Sequence, residues 1–323
     1  MATGWKPKYL TDLQVADGEA YHRALYHNGD IEFPAGWHER SVEKLIDLSL
    51  PHIKEGALVV DYGSGTGGSA IELLKILDER NVSIELIMID PLESWFAKAR
   101  EIIGDREGVH FEISIQTDIS GKAKFRRLED MLDGMKADVI ISSSTLHLVP
   151  AKAISDLANQ FANSLKPGGI LVWDSGDLDS DFRPSNSALL HDPYRSVREI
   201  LRNDEERKKV LLKMGELESQ KSERRLDRIF PSPFPVEIIL DAMSDAGFST
   251  ELSERVVEFS NLDAERFVLV PRLAEIAAPL LAGEERDNAI RKALEISLSR
   301  IANQGKGEDD HYRSHWIYGL HCL

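Results

Sequence analysis

Between Ala57 and Leu77 the chain passes from a short apolar run, ALVVDYG, through the glycines of GSGTGG into Ile71, Leu73, Leu74, Ile76 and Leu77 at helical spacing. A short apolar run closed by glycine reads as a buried strand, and the spacing that follows reads as a helix. A strand that turns on glycines directly into a helix is half of a βαβ unit. That unit needs a parallel neighbour and so commits the chain to an α/β sheet.

The neighbours follow in order. IELIMID (84–90) is a second strand, and ESWFAKAREIIG (93–104) a helix stopped by Gly104. VHFEISIQTD (109–118) alternates like a third strand, and ADVIISSS (137–144) is a fourth. AISDLANQFANSL is a helix halted at Lys166-Pro167-Gly168-Gly169, and GILVWDSG (169–176) is a fifth strand. Strands alternating with helices predict a doubly wound, mainly parallel sheet. With 323 residues and 42% hydrophobic content, there is enough apolar material for a sizeable core.

Outside this rhythm the chain divides into appendages. Residues 1–40 form an amino-terminal cap rich in aromatics and histidine, and 41–176 the α/β core. Residues 177–235 form a helical lid insertion with little β pattern. Its charged stretch, NDEERKKVLLKMGELESQKSERRLDR, carries one narrow apolar stripe at Val210, Leu211, Met214 and Leu217. Residues 236–323 return to the core with PVEIILDAMSDAGF as a helix, STELSERVVEFS as a sixth strand and HWIYGLHCL as the closing strand. A second helical insertion (263–310) lies between those strands. Ligands of such sheets bind at the carboxyl ends of the strands, where the insertions also gather.

The formal charge of −16 argues against nucleic acid as the main partner. A local basic patch, Lys122, Lys124, Arg126 and Arg127, reads as a solvated face or turn. MATGWKPKYLTDLQ lacks the apolar segment of a signal peptide, and no run reaches the ~18 apolar residues of a membrane span. Cys322 is the only cysteine, so neither an internal disulfide nor a cysteine metal site can form. A cytoplasmic location without membrane partners is expected.

The glycine string admits two readings. From Gly63 it satisfies G-x-G-x-x-G through Gly63, Gly65 and Gly68, the dinucleotide fingerprint. From Asp61 it satisfies D-x-G-x-G-x-G through Asp61, Gly63, Gly65 and Gly67. An acid two residues before the first glycine repels a pyrophosphate and complements a sulfonium nucleoside with an α-amino group. Asp90, ending the second strand, suits a ribose diol in either case.

VVDYGSGTG, Asp90 and the KPGG turn, in that order, resemble the class I S-adenosylmethionine-dependent methyltransferases over residues 40–175. The resemblance implies a seven-stranded sheet with its last strand antiparallel and S-adenosyl-L-methionine as cofactor. It places Asp61, Gly63, Ser64, Gly65 and Gly67 around the methionine end. Asp90 would bind the ribose, with Pro91 and Leu92 beside the adenine. Asp118 and Ile119 would flank the adenine amino group, and Ser142 and Ser143 would face the methionyl chain. QTDISGKAKFRRLED departs from the family's compact acidic turn after the third strand.

The acceptor side is less readable. SSSTLHLV lacks the N/D-P-P-Y/F string of amino-methylating DNA enzymes. Only Asp174 and Asp177 approach the oxygen set of catechol-type enzymes, and no Asn follows, so no metal is expected. The plant-type dimerisation domain is missing. The layout resembles small-molecule methyltransferases with insertions after the fifth and sixth strands. O-methylation of a carboxylate or hydroxyl by in-line transfer is the expected reaction. N- or C-methylation, a non-catalytic cofactor-binding relative and a nicotinamide oxidoreductase are the alternatives.

His147, just past the fourth strand, is the candidate catalytic residue. Tyr21, His22, Trp37, His38 and Arg40 are second candidates in the cap. His311, Tyr312, Arg313, His315 and Trp316, ahead of the last strand, read as lid closure or a subunit contact, which leaves a homodimer open.

Overall fold

A computed structural model describes residues 9–26, 37–117, 123–203, 231–279 and 281–323, with backbone alone at 37–39. Strands β1 (Ala57–Tyr62), β2 (Ile84–Asp90) and β3 (Val109–Ile113) are joined by helices α3 (Gly68–Glu79) and α4 (Glu93–Ile103). Two helices, α1 (Asp12–Leu25) and α2 (Trp37–Ser49), precede β1. A hairpin of β4 (Ile115–Thr117) and β5 (Ala123–Phe125) leads through the single turn α5 (Leu128–Met131) to β6 (Ala137–Ser143). Helix α6 (Ile154–Ser164) then gives way to β7 (Leu165–Ser175).

After β7 come α7 (Asp192–Asn203) and α8 (Glu237–Asp245). The sheet is completed by β8 (Ser249–Ser260) and β9 (His311–Cys322). Between them lie α9 (Asn261–Val268), α10 (Pro271–Ala277) and α11 (Gly283–Asn303). The seven strands run in the order β3-β2-β1-β6-β7-β9-β8. Neighbours pair parallel from β3 to β7, whereas β9 pairs antiparallel with both β7 and β8. Strand order reverses beside β1, between its pairings with β2 and β6. That is the crevice in which an open α/β sheet takes its ligand.

Both sheet faces are covered, which explains why the central strands are apolar throughout. One core gathers α1–α4, α7 and α9–α11 around Val59, Met88, Ile141 and Val172. The other packs α5, α6 and α8 on Val60, Ile87, Ile140 and Leu171. Trp173 and His321 join β7 to β9 within the second layer. The Trp173 indole N–H donates to His321 Nε2 at 2.6 Å, leaving Nδ1 to meet the Thr250 hydroxyl at 2.8 Å. Burial drives the His321 imidazole down to about 4, so the ring is neutral and the indole keeps its acceptor.

Three expectations need correction. The third strand does not run through residue 118; it breaks at Ser114, and β4 turns away to pair with β5. The exposed side chains there bury no face that could extend the main sheet. The closing strand begins at His311 instead of His315, so the aromatic group lies inside β9. Tyr312 and Trp316 are buried core residues, which removes them from any subunit contact. Arg40 is no part of a cofactor cap: it sits in α2 and bonds the Glu258 carbonyl and Asp263. The charged stretch of the lid insertion lies outside the described residues from 204 onward.

No helix among the described residues is long and apolar enough to cross a membrane. Gly319 on β9 faces the Trp173 indole, and a Cβ there would lie 2.4 Å from Nε1. Gly319→Ala is expected to lower stability by about 1–3 kcal/mol through overpacking. Urea denaturation checks this; an unchanged midpoint would contradict the packing described.

Candidate active site

The glycine loop is held from below by β2. Gly63 and Ser64 donate their N–H groups to the Ile89 carbonyl at 2.8 and 3.0 Å. Asp90 then spans two loops: Oδ2 accepts the Gly65 N–H at 2.8 Å and Oδ1 the Leu92 N–H at 2.7 Å. Gly63, Gly65 and Gly67 all have positive φ (79°, 55° and 88°), which glycine adopts without penalty. Gly67 caps α3, so the loop leads directly onto a helix amino terminus.

Asp61 lies beneath this loop and is 1% exposed. Its Oδ2 accepts the Ser69 hydroxyl at 3.0 Å, while Oδ1 is buried with no hydrogen-bond partner. Burial raises its pKa from 3.8 to about 7, opposed by the Ser69 hydroxyl and reinforced by Asp90 and Asp174. Asp90 is raised to about 6 by burial, held back by the Leu92 and Gly65 N–H groups. Asp174, at the end of β7, is raised to about 7 by burial despite the Ser144 N–H and Ser143 hydroxyl it accepts. Three desolvated carboxylates thus converge on one crevice. A cation placed among them would relieve both their burial and their mutual repulsion.

Helix α1 roofs the loop. Thr11 and Gln14 form a capping box at its start. Tyr21 stacks on Trp95 with ring centroids 3.7 Å apart, both rings bordering Gly65. His22 Nδ1 meets the Thr66 hydroxyl at 3.1 Å. Tyr26 lies so close over Gly68 that a Cβ there would fall 1.7 Å from its hydroxyl. Asp17 accepts the Trp95 indole N–H at 3.0 Å and the Arg272 N–H at 2.9 Å, tying the roof to α4 and α10. Trp37 and His38 lie on the first turn of α2, their side chains outside the description.

Beside the roof a cleft of about 760 Å³ is lined by Pro91 and Leu92, Ile113 and Ile115 of the third-strand edge, and Asp17 and Arg272. Asp118 and Ile119, expected at this end, lie outside the described residues. Ser142 and Ser143 end β6 in the crevice with their hydroxyls engaged, Ser142 on the Tyr62 carbonyl at 3.0 Å and Ser143 on Asp174. Thr145, unmarked in the sequence, packs on Gly63 and donates to the Ser143 carbonyl at 2.8 Å.

His147 occupies a buried polar pocket past β6 and β7. Its Nδ1 meets the Ser175 hydroxyl at 3.0 Å and its Nε2 faces His191 Nε2 at 3.2 Å. Ser175 Oγ also accepts the Asp177 N–H at 3.1 Å. Asp177 is paired with Arg195 through both carboxylate oxygens and accepts the His191 N–H at 3.2 Å. Burial, with the Arg195 charge adding to it, lowers His147 to about 3. His191 falls well below 6.5 through burial, then through His147 and Arg195. Both rings are neutral at physiological pH. His191 left no signal in the sequence, because only the fold brings it to a residue 44 positions away.

The sign of the Asp61 shift has a consequence for the ligand-free chain. A folded-state pKa above the unfolded value means the folded chain binds the proton more tightly. The cost of burying the carboxylate is absent below about pH 4, grows as pH rises, and is complete above about pH 7. Asp61→Asn carries no such cost. It is expected to melt about 3 °C or more above the wild type near pH 8, with the difference shrinking toward pH 5. Thermal melts across that range check this; a pH-independent difference would contradict the cost assigned to burying the carboxylate.

Comparison with known proteins follows the same lines. A family model described as "Methyltransferase domain" matches residues 60–171, from the middle of β1 to the middle of β7. Over 170 residues the chain is 27% identical to the ribosomal RNA large subunit methyltransferase E of Chromobacterium violaceum, covering 48% of this chain and 73% of that protein. The YcgJ protein of Bacillus subtilis superposes with a TM-score of 0.51 at 12% identity, over 88% of this chain and 98% of that one. Phosphoethanolamine N-methyltransferase 2 of Haemonchus contortus, crystallised with S-adenosyl-L-methionine, gives 0.50 at 14% identity. The match covers 98% of this chain and 61% of that one. At these identities the structural likeness is one of fold. Residues 60–171 thus match a methyltransferase domain, and the D-x-G-x-G-x-G string and the strand order agree with that match.

Proposed function

We propose that the chain methylates an oxygen of a small molecule, with a carboxylate favoured over a hydroxyl. The observation that carries the cofactor side is Asp61: a buried carboxylate oxygen without a partner, next to glycine-opened backbone and in the field of two further acids. That environment fits a ligand bearing a positive sulfur and an ammonium group, and it opposes a pyrophosphate. S-adenosylmethionine supplies an already activated methyl group, so the protein has only to bind, align and exclude water.

The division of labour follows from the geometry. Asp61, Gly63, Ser64, Gly65 and Gly67 would hold the methionine end. Each oxygen of Asp90 accepts one N–H and keeps a lone pair for a ribose hydroxyl. Pro91, Leu92, Ile113 and Ile115 would offer apolar contacts to the adenine within a cleft of mixed polarity. Helix α1 would serve as cap over the cofactor core of 41–176, and the insertions 177–235 and 263–310 would enclose the acceptor.

His147 is the acceptor-side residue in this reading. An imidazole held near 3 is too weak a base to strip a hydroxyl at neutral pH. A carboxylate acceptor needs no such base, only polar groups to orient it. RNA fits this chain poorly. Of the basic cluster, Arg126 is paired with Glu112 at 2.7 Å, and Arg127 with Glu129 and Asp156. The overall charge is −16.

Calorimetric titration with S-adenosylhomocysteine is expected to show micromolar binding. Asp61→Ala and Asp90→Ala should each weaken it about tenfold or more, as loss of charge-assisted hydrogen bonds does. A folded wild type that binds nothing would overturn the cofactor assignment. Incubation with carboxylic acids, phenols, amines and RNA should then give base-labile methyl esters. Exclusive transfer to amines or RNA would overturn the oxygen acceptor.

A further inference from the structure

We propose that His147, His191 and Asp177 bind a divalent cation of the zinc type, which anchors the carboxylate of the methyl acceptor. The acceptor part rests on the function proposed above; the metal site stands on its own geometry. Two imidazole Nε2 atoms face each other at 3.2 Å. Two nitrogens on one tetrahedral metal, with bonds of about 2.0–2.1 Å, are about 3.3 Å apart. The third donor comes from Asp177, and one ligand atom from each of the three residues falls within 4.8 Å of the others. All three side chains are buried.

The surroundings are those of a ligand set held from outside. Ser175 fixes the second ring nitrogen of His147, as the outer partners of ligating histidines do. His191 is stacked on Phe267 at 5.4 Å between centroids and 13° between planes. Arg195 and the His191 N–H orient Asp177; among the described residues Oδ2 accepts from the Arg195 guanidinium alone and keeps a lone pair.

Charge is accommodated as well. Arg195 reaches solvent, with a quarter of its side chain exposed, and Asp174 adjoins Ser175. Nitrogen donors select zinc-like cations over magnesium or calcium. Three protein ligands leave a fourth position, which an anionic oxygen fills well. The expectation of no metal weighed only an oxygen set; His147 and His191 lie 44 residues apart, where spacing reveals nothing.

The test is a titration of chelator-stripped protein with Co²⁺, followed by its visible absorption. It would be repeated on His147→Gln, His191→Gln, Asp177→Asn and the exposed control His52→Ala. S-adenosylhomocysteine binding would be measured on every variant to confirm an intact fold and cofactor site. The expected result is one Co²⁺ per wild-type chain with the intense bands of a low-coordinate nitrogen site. Either histidine variant should weaken it about 100-fold or more and Asp177→Asn about tenfold, while His52→Ala leaves it unchanged. A wild type that binds S-adenosylhomocysteine but takes up no Co²⁺ would overturn the metal site, as would uptake indifferent to His191→Gln. Cobalt uptake is read without the cofactor, so failure of S-adenosylhomocysteine binding strikes only the methyltransferase reading.

Discussion

The cofactor end of the molecule depends on one carboxylate. Asp90 takes a backbone N–H from the loop after β1 with one oxygen and a backbone N–H from the loop after β2 with the other. These loops flank the point where strand order reverses, and beyond the Gly63 and Ser64 bonds to Ile89 the parallel ladder has ended. A hydroxyl or amide could make one of the two bonds. Only a carboxylate makes both and still has acceptor capacity left. The glycine turn, the cleft wall at Pro91 and Leu92, and the seat for α1 are all positioned from this bridge.

Around that bridge the protein accepts instability. Asp61, Asp90 and Asp174 are each desolvated, and the last two raise the cost of ionising Asp61. Sites built to receive a cation carry this signature, because the ligand supplies the missing half of the electrostatics. The second polar pocket, around His147 and His191, is organised the opposite way. Its single carboxylate is already matched by Arg195, and its rings are kept uncharged. The sheet edge thus offers a negative chamber under α1 and a balanced, nitrogen-rich one past β7.

The sequence made the sheet legible because buried parallel strands are continuous apolar runs and their helices repeat at a fixed period. What it hid follows from the same logic. The β4–β5 hairpin exposes its side chains, so Gln116 and Lys124 carry no pattern that separates strand from loop. The first residues of β9, His311 to Ser314, are mostly polar and look like a loop. Asp61 and Asp90 were readable from their place in a local motif. His191 was not, since its meaning lies in a partner supplied by another strand end. Arg40 misled in the other direction: proximity to a cluster of aromatics suggested a cap, while its bonds reach β8 and α9.

The roof over the glycine loop sets the rhythm of the molecule. Helix α1 is tied down by an indole, a guarded tyrosine and the Lys98–Glu19 ion pair, and beneath it the acid floor is almost wholly shielded from water. Shielding of that kind protects a reactive sulfonium from hydrolysis, and it imprisons the spent thioether equally well. Exposing that floor would cost the Tyr21–Trp95 stacking and the Lys98–Glu19 ion pair together. Shelter and accessibility are thus set by the same few contacts of one helix.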